Sequence, residues 1–355
     1  MAVLVFIVRS NLEVSLTSSI SRIDAEKGVL YFRNHVTTTI AFLHDYETVL
    51  YLLVNDELPS LIHKNEITKA MQSSRNEFKE YQDDILSREE QSCDYVLECL
   101  AEKIDDWTSN GKLTLHDALL RFVSFTPLAI NGQHRLNQGL QPVEPTDRYG
   151  HSGNILHTMG WEVDFVDLRD FDASLILHMD DPDNPSLTSL IGALESGESL
   201  GEAIKRAVKT HPDPLHHGAG TLAMNTILEL RDVENLADVL RQRITNGEKI
   251  YGLGHRIYRT IDPRAVLLRK FLIRRTHDTE DEWLPQLIAN IAEVGADIIY
   301  KMKGREVFPN VDLYNAAVYS TFGFPIDYNT YLFAISRVAG WMAHILEWFK
   351  ENETS

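Results

Sequence analysis

Three segments of this sequence place histidine, arginine and aspartate beside glycine or proline. In the first, "DPLHHGAG", His216 and His217 precede the apolar stretch "TLAMNTILEL". The positive end of a helix dipole keeps a histidine at the helix N-terminus neutral, and a neutral imidazole can donate a hydrogen bond to a carbonyl. The segment therefore offers a hydrogen-bond donor, although the pair taken alone is better explained as one capping residue and one solvated side chain.

The second segment, "YGLGHRIYRTIDPRA", concentrates cations around one histidine, His255. Two glycines leave backbone amides accessible and three arginines can hold anions: Gly252 and Gly254, then Arg256, Arg259 and Arg264. Position 257 is isoleucine, so the nucleotide fingerprint G-x-G-x-x-G is absent. A turn with solvated arginines is the simpler alternative, but the "DPR" turn fixes the direction of an arginine that can pair bidentately with a carboxylate.

The third segment, "GREVFPNVDLYNAAVYSTFG", carries Asp312 at the start of a predicted helix. Taken alone, it is typical of an N-cap aspartate preceded by Asn310 as a turn residue. Arg337 interrupts the apolar helix "FAISRVAGWMAHILEWF", so its side chain either reaches out to solvent or serves a buried anion. His344 on the same helix is interpreted as a packed core histidine.

One chemistry uses all three segments. Carbon–carbon bond formation from a thioester needs a carboxylate base for the α-proton, a neutral donor to the thioester carbonyl, and an acid for the ketone that is attacked. Asp312, His216 and His255 supply these types, and Arg264 and Arg337 can hold a dicarboxylate. A metal-dependent hydrolase built on the same histidines and Asp312 is a weaker alternative, since no H-x-x-x-H or similar ligand spacing occurs, and no metal site is predicted.

The elements that must position these residues are mostly helical. Residues 1–35 alternate apolar and polar positions around the turn signal "DAEKG", a pattern that predicts short strands, with the opening "MAVLVFIV" as a strand rather than a signal peptide. Beyond them the apolar spacing becomes helical, as in "CDYVLECLAEKIDDW". Capping boxes are predicted at Thr114–Asp117 and Ser199–Glu202, and further helices over 233–246, 283–302 and 328–350.

Composition limits the classes of partner. The chain has 355 residues, is 44% hydrophobic and carries a net charge of −18, which disfavours binding to nucleic acid or to anionic lipid. The sequence has no run of about 18 apolar residues, so no membrane span is predicted. The cysteines, Cys93 and Cys99, are spaced so that they would not pair on a helix, which favours a reducing compartment and a cytoplasmic location.

The motifs resemble those of the citrate synthase family. "PLHHGAG" resembles the family's PLHGGAN, "GLGHRIYRTIDPRA" resembles GxGHRVYxxxDPRA, and "FPNVDLYNAAVYSTFGFP" resembles YPNVDFYSGxxxxxxGxP. "FAISRVAGWMAHILE" is similar to FAxxRxxGWxAHxxE, and weaker matches extend to "SSISRIDAEKGVLYFRN" and "LLVNDELPS". The similarity runs in order along nearly the whole chain.

This resemblance implies a mainly α, two-domain homodimer with a small N-terminal β element. The large helical domain would comprise 1–215, completed by 318–355, and the small domain 216–317 would carry the coenzyme and catalytic loops. Closure of the cleft between them would exclude water. The implied reaction joins acetyl-CoA to oxaloacetate, giving citrate and CoA, or a related pair as in 2-methylcitrate synthase. No permanently bound cofactor is implied, because the acyl-CoA is a co-substrate.

The resemblance also implies a role for each matching residue. Asp312 would be the enolising base, His216 the donor to the acetyl-CoA carbonyl and His255 the acid for the ketone. Arg264 and Arg337 would clamp carboxylates. The residues implied to meet coenzyme A are Gly252, Leu253, Gly254, Arg259 and Arg305.

Several positions depart from the family's motifs. "LILHMDDPDNPS" keeps His178 of the family's LILHADHExNAS but has Asp181 where the family's substrate-binding histidine stands. Gly220 replaces an asparagine, His217 replaces a glycine, and the family's C-terminal arginine segment has no counterpart after "EWFKENETS". With Asp181 and His178 as candidate substrate contacts, the sequence fits a condensing enzyme for a different 2-oxo acid. It also fits a weakly catalytic member that binds CoA or organic acids as a regulator.

Overall fold

The computed structural model describes residues 18–109, 111–211 and 218–353. Within them a short sheet precedes fifteen α-helices, which confirms the mainly α prediction. The first helices are α1 Thr37–Leu43, α2 Tyr46–Asn55, α3 Leu61–Ile85, α4 Cys93–Ser109, α5 Leu115–Asn137, α6 His151–Thr158, α7 Phe165–Ile176 and α8 Pro185–Glu195. The others are α9 Leu200–Thr210, α10 Ala219–Glu229, α11 Leu236–Thr245, α12 Pro263–Thr276, α13 Trp283–Lys303, α14 Asn315–Ser320 and α15 Asn329–Glu353.

The sheet is a three-stranded antiparallel meander. Its strands are β1 Ser21–Asp24, β2 Val29–Phe32 and β3 His35–Val36, with Ser21 opposite Phe32 and Tyr31 opposite Val36. The prediction of short strands is therefore confirmed for the part of 1–35 that the structure describes. The opening "MAVLVFIV" lies outside the described residues.

Local sequence signals account for several of the helices. The Thr114 hydroxyl accepts a hydrogen bond from the Asp117 amide (3.1 Å), and the Ser199 hydroxyl accepts one from the Glu202 amide (3.3 Å), so both predicted helix starts are confirmed. The predicted apolar face of α4 is buried along its length. Cys93 is buried on that helix, Cys99 is half-buried, and both thiols are free.

Helix α15 runs through the middle of the core. Residues 332–345 are all buried, and the helix packs against α2, α5, α7, α8 and α10. A helix that is apolar almost all round is stable only when it is enclosed on every side. Arg337 is therefore carried into the interior by the apolar residues around it. No helix in the described part of the chain is long and apolar enough to cross a bilayer.

Candidate active site

A pocket of about 240 Å³ lies where four segments meet. Its wall is formed by the turn at 181–185, the loop at 254–257 with the start of α12, the segment 310–312, and α15. Six of the predicted site residues line it: Asp181, Gly254, His255, Arg264, Asp312 and Arg337. His216 and His217 lie outside the described residues.

The loops that carry His255 and Asp312 are joined by main-chain hydrogen bonds. The Gly254 amide donates to Phe308 O (2.7 Å), and the Asn310 amide donates to Gly252 O (2.9 Å). The Asn310 side chain adds a bond from Nδ2 to Gly254 O (2.6 Å). Because these bonds hold the two loops together, the histidine and the aspartate form one unit of the wall.

Gly252 permits this close approach. Its φ is +85°, in the left-handed region that favours glycine, and a Cβ there would lie 2.6 Å from Leu313 Cβ. Gly247 has nearly the same φ (+83°), but nothing lies within 4 Å of the Cβ position. The two glycines therefore separate the cost of the backbone conformation from the cost of the contact.

We expect Gly247→Ala to lower the free energy of unfolding by about 1–2 kcal/mol, the cost of a left-handed alanine. Gly252→Ala should cost about 1–3 kcal/mol more, because the methyl group overpacks against Leu313. Chemical denaturation of the two variants measures the difference. Equal losses would show that the contact with Leu313 relaxes freely.

The imidazole of His255 is fixed in one tautomer. Its Nδ1 accepts hydrogen bonds from the backbone amides of Ile257 (3.1 Å) and Tyr258 (3.2 Å), so the proton of the neutral ring is on Nε2. Burial lowers the pKa of His255, although Asp262 acts in the opposite direction. The ring is therefore a neutral N–H donor in the pocket wall.

The interpretation of Asp312 as an N-cap is wrong. The cap is Asn310, whose Oδ1 accepts from the Asp312 amide (2.9 Å) and starts the 3₁₀ turn Val311–Leu313. The Asp312 side chain is therefore not used as the cap, and among the described residues Asn315 Nδ2 lies 3.4 Å from its Oδ1. Burial raises the pKa of Asp312 to about 7, even though Arg264 favours the charged form.

The charge of Arg264 is paired with two protein carboxylates. Its Nε and Nη2 donate to Asp262 at 2.8–3.2 Å, and Nη1 lies 3.4 Å from Asp181 Oδ2. The guanidinium is 3% exposed and Asp262 is fully buried. Although burial alone would raise the pKa of Asp262, the Arg264 charge holds it below its usual range. Sequence reasoning missed Asp262 as a positioning residue; its signal was the "DP" helix start, where it caps α12.

Arg337 is buried without an ion pair to a carboxylate among the described residues, although Asp181 and Asp180 favour its charged form. It is 1% exposed, so its side chain does not reach out to solvent. Its Nε donates to His178 O (3.0 Å), while Nη1 has no partner among the described residues. Burial lowers the pKa of this guanidinium. Of the two alternatives from the sequence, the burial excludes the one in which the side chain reaches out to solvent.

The two other histidines of this region lie behind the wall. His178 is fully buried, does not line the pocket, and places Nδ1 2.6 Å from Ser174 O. Burial lowers its pKa to about 3, so the ring is neutral and its carbonyl positions Arg337. His344 is buried with Nε2 2.9 Å from Asp180 Oδ2, as expected of a packed core histidine.

The predicted coenzyme residues other than Gly254 do not line the pocket. The Leu253 side chain packs on Gly295 of α13, where a Cβ would come within 2.7 Å of it. Arg259 and Arg305 are exposed and do not line the pocket, although Arg305 Nη2 comes near Gly254. Arg256, which was noted only as one of three possible anion holders, is in the wall and donates to Asp183 O (2.6 Å).

Comparison with known proteins gives the family. The sequence model described as "Citrate synthase, C-terminal domain" matches residues 11–354. The chain belongs to the citrate synthase family. It is 32% identical to citrate synthase 2 of Bacillus subtilis, over 96% of this chain and 91% of the relative. The crystal structure of citrate synthase from Pyrobaculum aerophilum is similar with a TM-score of 0.83 at 28% identity, over 96% of this chain and 88% of that one. The structure from Thermotoga maritima gives 0.82 at 26%, over 96% and 91%.

Against the citrate synthase motifs, two changes in this chain fit each other. The family's PLHGGAN has asparagine where Gly220 stands, and its FYSG has serine where Asn315 stands. Gly220 lies on α10, and a Cβ there would overlap Asn315 Oδ1 and lie 2.5 Å from Asn329 Nδ2. The asparagine has thus moved from one side of the contact to the other, next to Asp312.

We expect Gly220→Asn alone to destabilise the protein by more than about 2 kcal/mol through overpacking. The double variant Gly220→Asn with Asn315→Ser should recover at least half of that loss, because contacting sites couple by about 0.5–3 kcal/mol. Unfolding free energies of the four proteins in this cycle give the coupling. Additive losses would show that the two positions are independent.

Proposed function

We propose that this protein is a condensing enzyme of the citrate synthase type, which joins an acyl-CoA to a 2-oxo acid. The family condenses acetyl-CoA with oxaloacetate. The observation that carries the proposal is the joint presence, in one pocket wall, of a carboxyl group with a pKa of about 7, a neutral N–H donor and a buried guanidinium with an unpaired nitrogen. These are Asp312, His255 and Arg337.

The proposed mechanism assigns one role to each group. Asp312 removes a proton from the carbon next to the thioester carbonyl, and His216 donates a hydrogen bond to the enolate oxygen. The enolate carbon attacks the ketone of the 2-oxo acid, while His255 Nε2–H protonates the oxygen of that ketone. Water then cleaves the thioester, releasing CoA. The role of His216 rests on its motif alone.

The remaining parts of the proposal concern binding and assembly. Arg337, with Arg264, holds the 2-oxo acid, and the loop Gly252–Leu253–Gly254 with Arg259 and Arg305 meets the coenzyme, which needs no permanently bound cofactor. The proposed domains are divided at 215/216 and 317/318, and both contribute residues to the pocket wall. A homodimer in the cytoplasm completes the proposal.

Release of free thiol from acetyl-CoA or propionyl-CoA, measured across a panel of 2-oxo acids, tests the proposal. Turnover above that of an Asp312→Asn protein supports it. If no acid in the panel gives thiol above this background, the enzyme assignment fails. A metal-dependent hydrolase gains no support from the described residues, where the one cluster of three potential ligands, His277, Asp278 and Glu282, is exposed and away from the pocket.

A regulator that binds CoA or an organic acid without turnover is the second candidate. It is favoured by Asp181, whose carboxylate lies against Arg264, an arginine expected to hold substrate. Calorimetric titration with CoA distinguishes the two candidates. Binding without thiol release from any acyl-CoA would favour the regulator, and turnover would eliminate it.

A further inference from the structure

The charges of the pocket wall differ around its two buried arginines. Arg264 faces two carboxylates, Asp262 and Asp181, so this cluster carries one net negative charge. Asp181 and Asp180 also favour the charged form of Arg337, but neither forms an ion pair with it, and its Nη1 has no partner among the described residues although the side chain is 1% exposed. Of the two buried arginines, Arg337 therefore attracts an anion more strongly than Arg264 does.

Asp181 disfavours an anion at its position in the pocket and favours a hydrogen-bond donor. Its side chain is 14% exposed and lines the pocket. One oxygen accepts from the Asp183 amide (3.2 Å) and the other faces Arg264. Because a carboxylate offers about four lone-pair positions, it can still accept a hydrogen bond from a ligand. A ligand carboxylate at this place would be repelled instead.

We propose that the acceptor is a 2-oxo acid with one carboxylate, held by Arg337, and an uncharged hydrogen-bond donor that meets Asp181. An amide or a hydroxyl group satisfies this description, and the distal carboxylate of oxaloacetate does not. Asp181 is thus the residue that determines specificity between the two classes of acid. This inference rests on the proposed function, since it concerns the acceptor of the same reaction.

The matched probes are oxaloacetate and 2-oxosuccinamate, in which the distal carboxylate is replaced by an amide of almost the same shape. Calorimetry measures binding of each acid alone, and thiol release from acetyl-CoA measures turnover. We expect the wild-type protein to favour the amide by at least about tenfold in both. Asp181→Asn and Asp181→His should shift the ratio toward oxaloacetate by about tenfold or more, since each removes a negative charge.

Asp278→Asn is the control substitution. Asp278 is exposed, and its positive φ (+59°) is one that asparagine also adopts. Its preference between the acids should equal that of the wild type. Thermal unfolding of each variant checks the fold, and if a variant does not fold, the wild-type preference between the two acids still tests the proposal.

Three results would overturn the proposal: tighter binding of oxaloacetate than of 2-oxosuccinamate by the wild type, an unchanged ratio in a folded Asp181→Asn protein, or binding of neither acid at millimolar concentration. Failure of the proposed function looks different. In that case the amide still binds better than oxaloacetate, and neither acid gives thiol release.

Discussion

Asp312→Asn should abolish condensation and leave the protein folded. We expect kcat to fall on the order of 10³-fold, within the usual range for loss of a general base. The amide keeps the shape of the side chain but cannot take a proton. The Asn310 cap bonds to the backbone amide of Asp312, so the 3₁₀ turn survives the change.

Proton transfer can be observed without the acceptor. Exchange of the acetyl-CoA methyl protons in D₂O, followed by NMR, should occur with the wild type and stop with Asp312→Asn. Asp278→Asn, an exposed change of the same chemistry, should exchange at the wild-type rate. Retention of more than about a tenth of the wild-type exchange rate by Asp312→Asn would remove Asp312 from the role of base.

The raised pKa of Asp312 predicts how stability and activity depend on pH. Burial raises the pKa of this carboxyl group from 3.8 to about 7. At pH values between these two, the native state therefore holds a proton that the unfolded state has released. Stability from this group therefore falls as pH rises through that window, while the fraction of active base grows. We expect kcat/KM to rise with pH up to about 7. The Tm of Asp312→Asn minus the Tm of the wild type should also increase between pH 4 and pH 8. A difference in Tm that does not change with pH would contradict the shifted pKa.

Much of the fold followed from periodic patterns. The apolar spacing of α4 and the capping boxes of α5 and α9 depend on neighbouring residues, and such signals are visible in a single sequence. The sequence predicted that Arg337 lies in an apolar helix but not whether its side chain is buried. The side chain of an arginine in an apolar helix either reaches out to solvent or stays buried. Only the burial of α15 on every side excludes the first of these.

The site was less accessible to sequence reasoning. Its loops have no period, and only their shared chemistry and the family's motifs indicated that His255 and Asp312 belong together. No pattern showed that Asn310 would cap the turn in place of Asp312, or that Asp262 would hold Arg264. Such contacts depend on which side chains meet after folding. The exchange between Gly220 and Asn315 joins positions far apart in the chain and needed coordinates.

The same substitution at the two buried arginines of the pocket should impair function in both variants but lower stability much more in one of them. Arg264→Met removes the cation from the fully buried Asp262 and from Asp181. Loss of one partner of a buried ion pair costs about 3–5 kcal/mol, because the other charge is left uncompensated. We therefore expect this variant to lose stability as well as activity, with chemical denaturation as the measurement.

Arg337→Met should lose function with little loss of stability. Its removal gives up one charged hydrogen bond to His178 O, worth about 1.5–3 kcal/mol. It also removes a buried charge that makes no ion pair with a described carboxylate, which offsets part of that loss. Binding of the acceptor should weaken on the order of 100-fold, since truncating a charged contact costs about 2–5 kcal/mol. Calorimetry with the 2-oxo acid measures this loss.

The double variant Arg264→Met with Asp262→Asn separates the two explanations of these results. If the cost of Arg264→Met comes from an unpaired carboxylate, neutralising that carboxylate should restore part of the stability but none of the activity. Equal destabilisation by Arg264→Met and Arg337→Met would contradict the distinction. In that case the two arginines would not divide into one that stabilises the fold and one that binds substrate. The expected pattern instead gives Arg264 a structural role in the wall besides its proposed contact with the acid, and gives Arg337 a role in binding the acid alone.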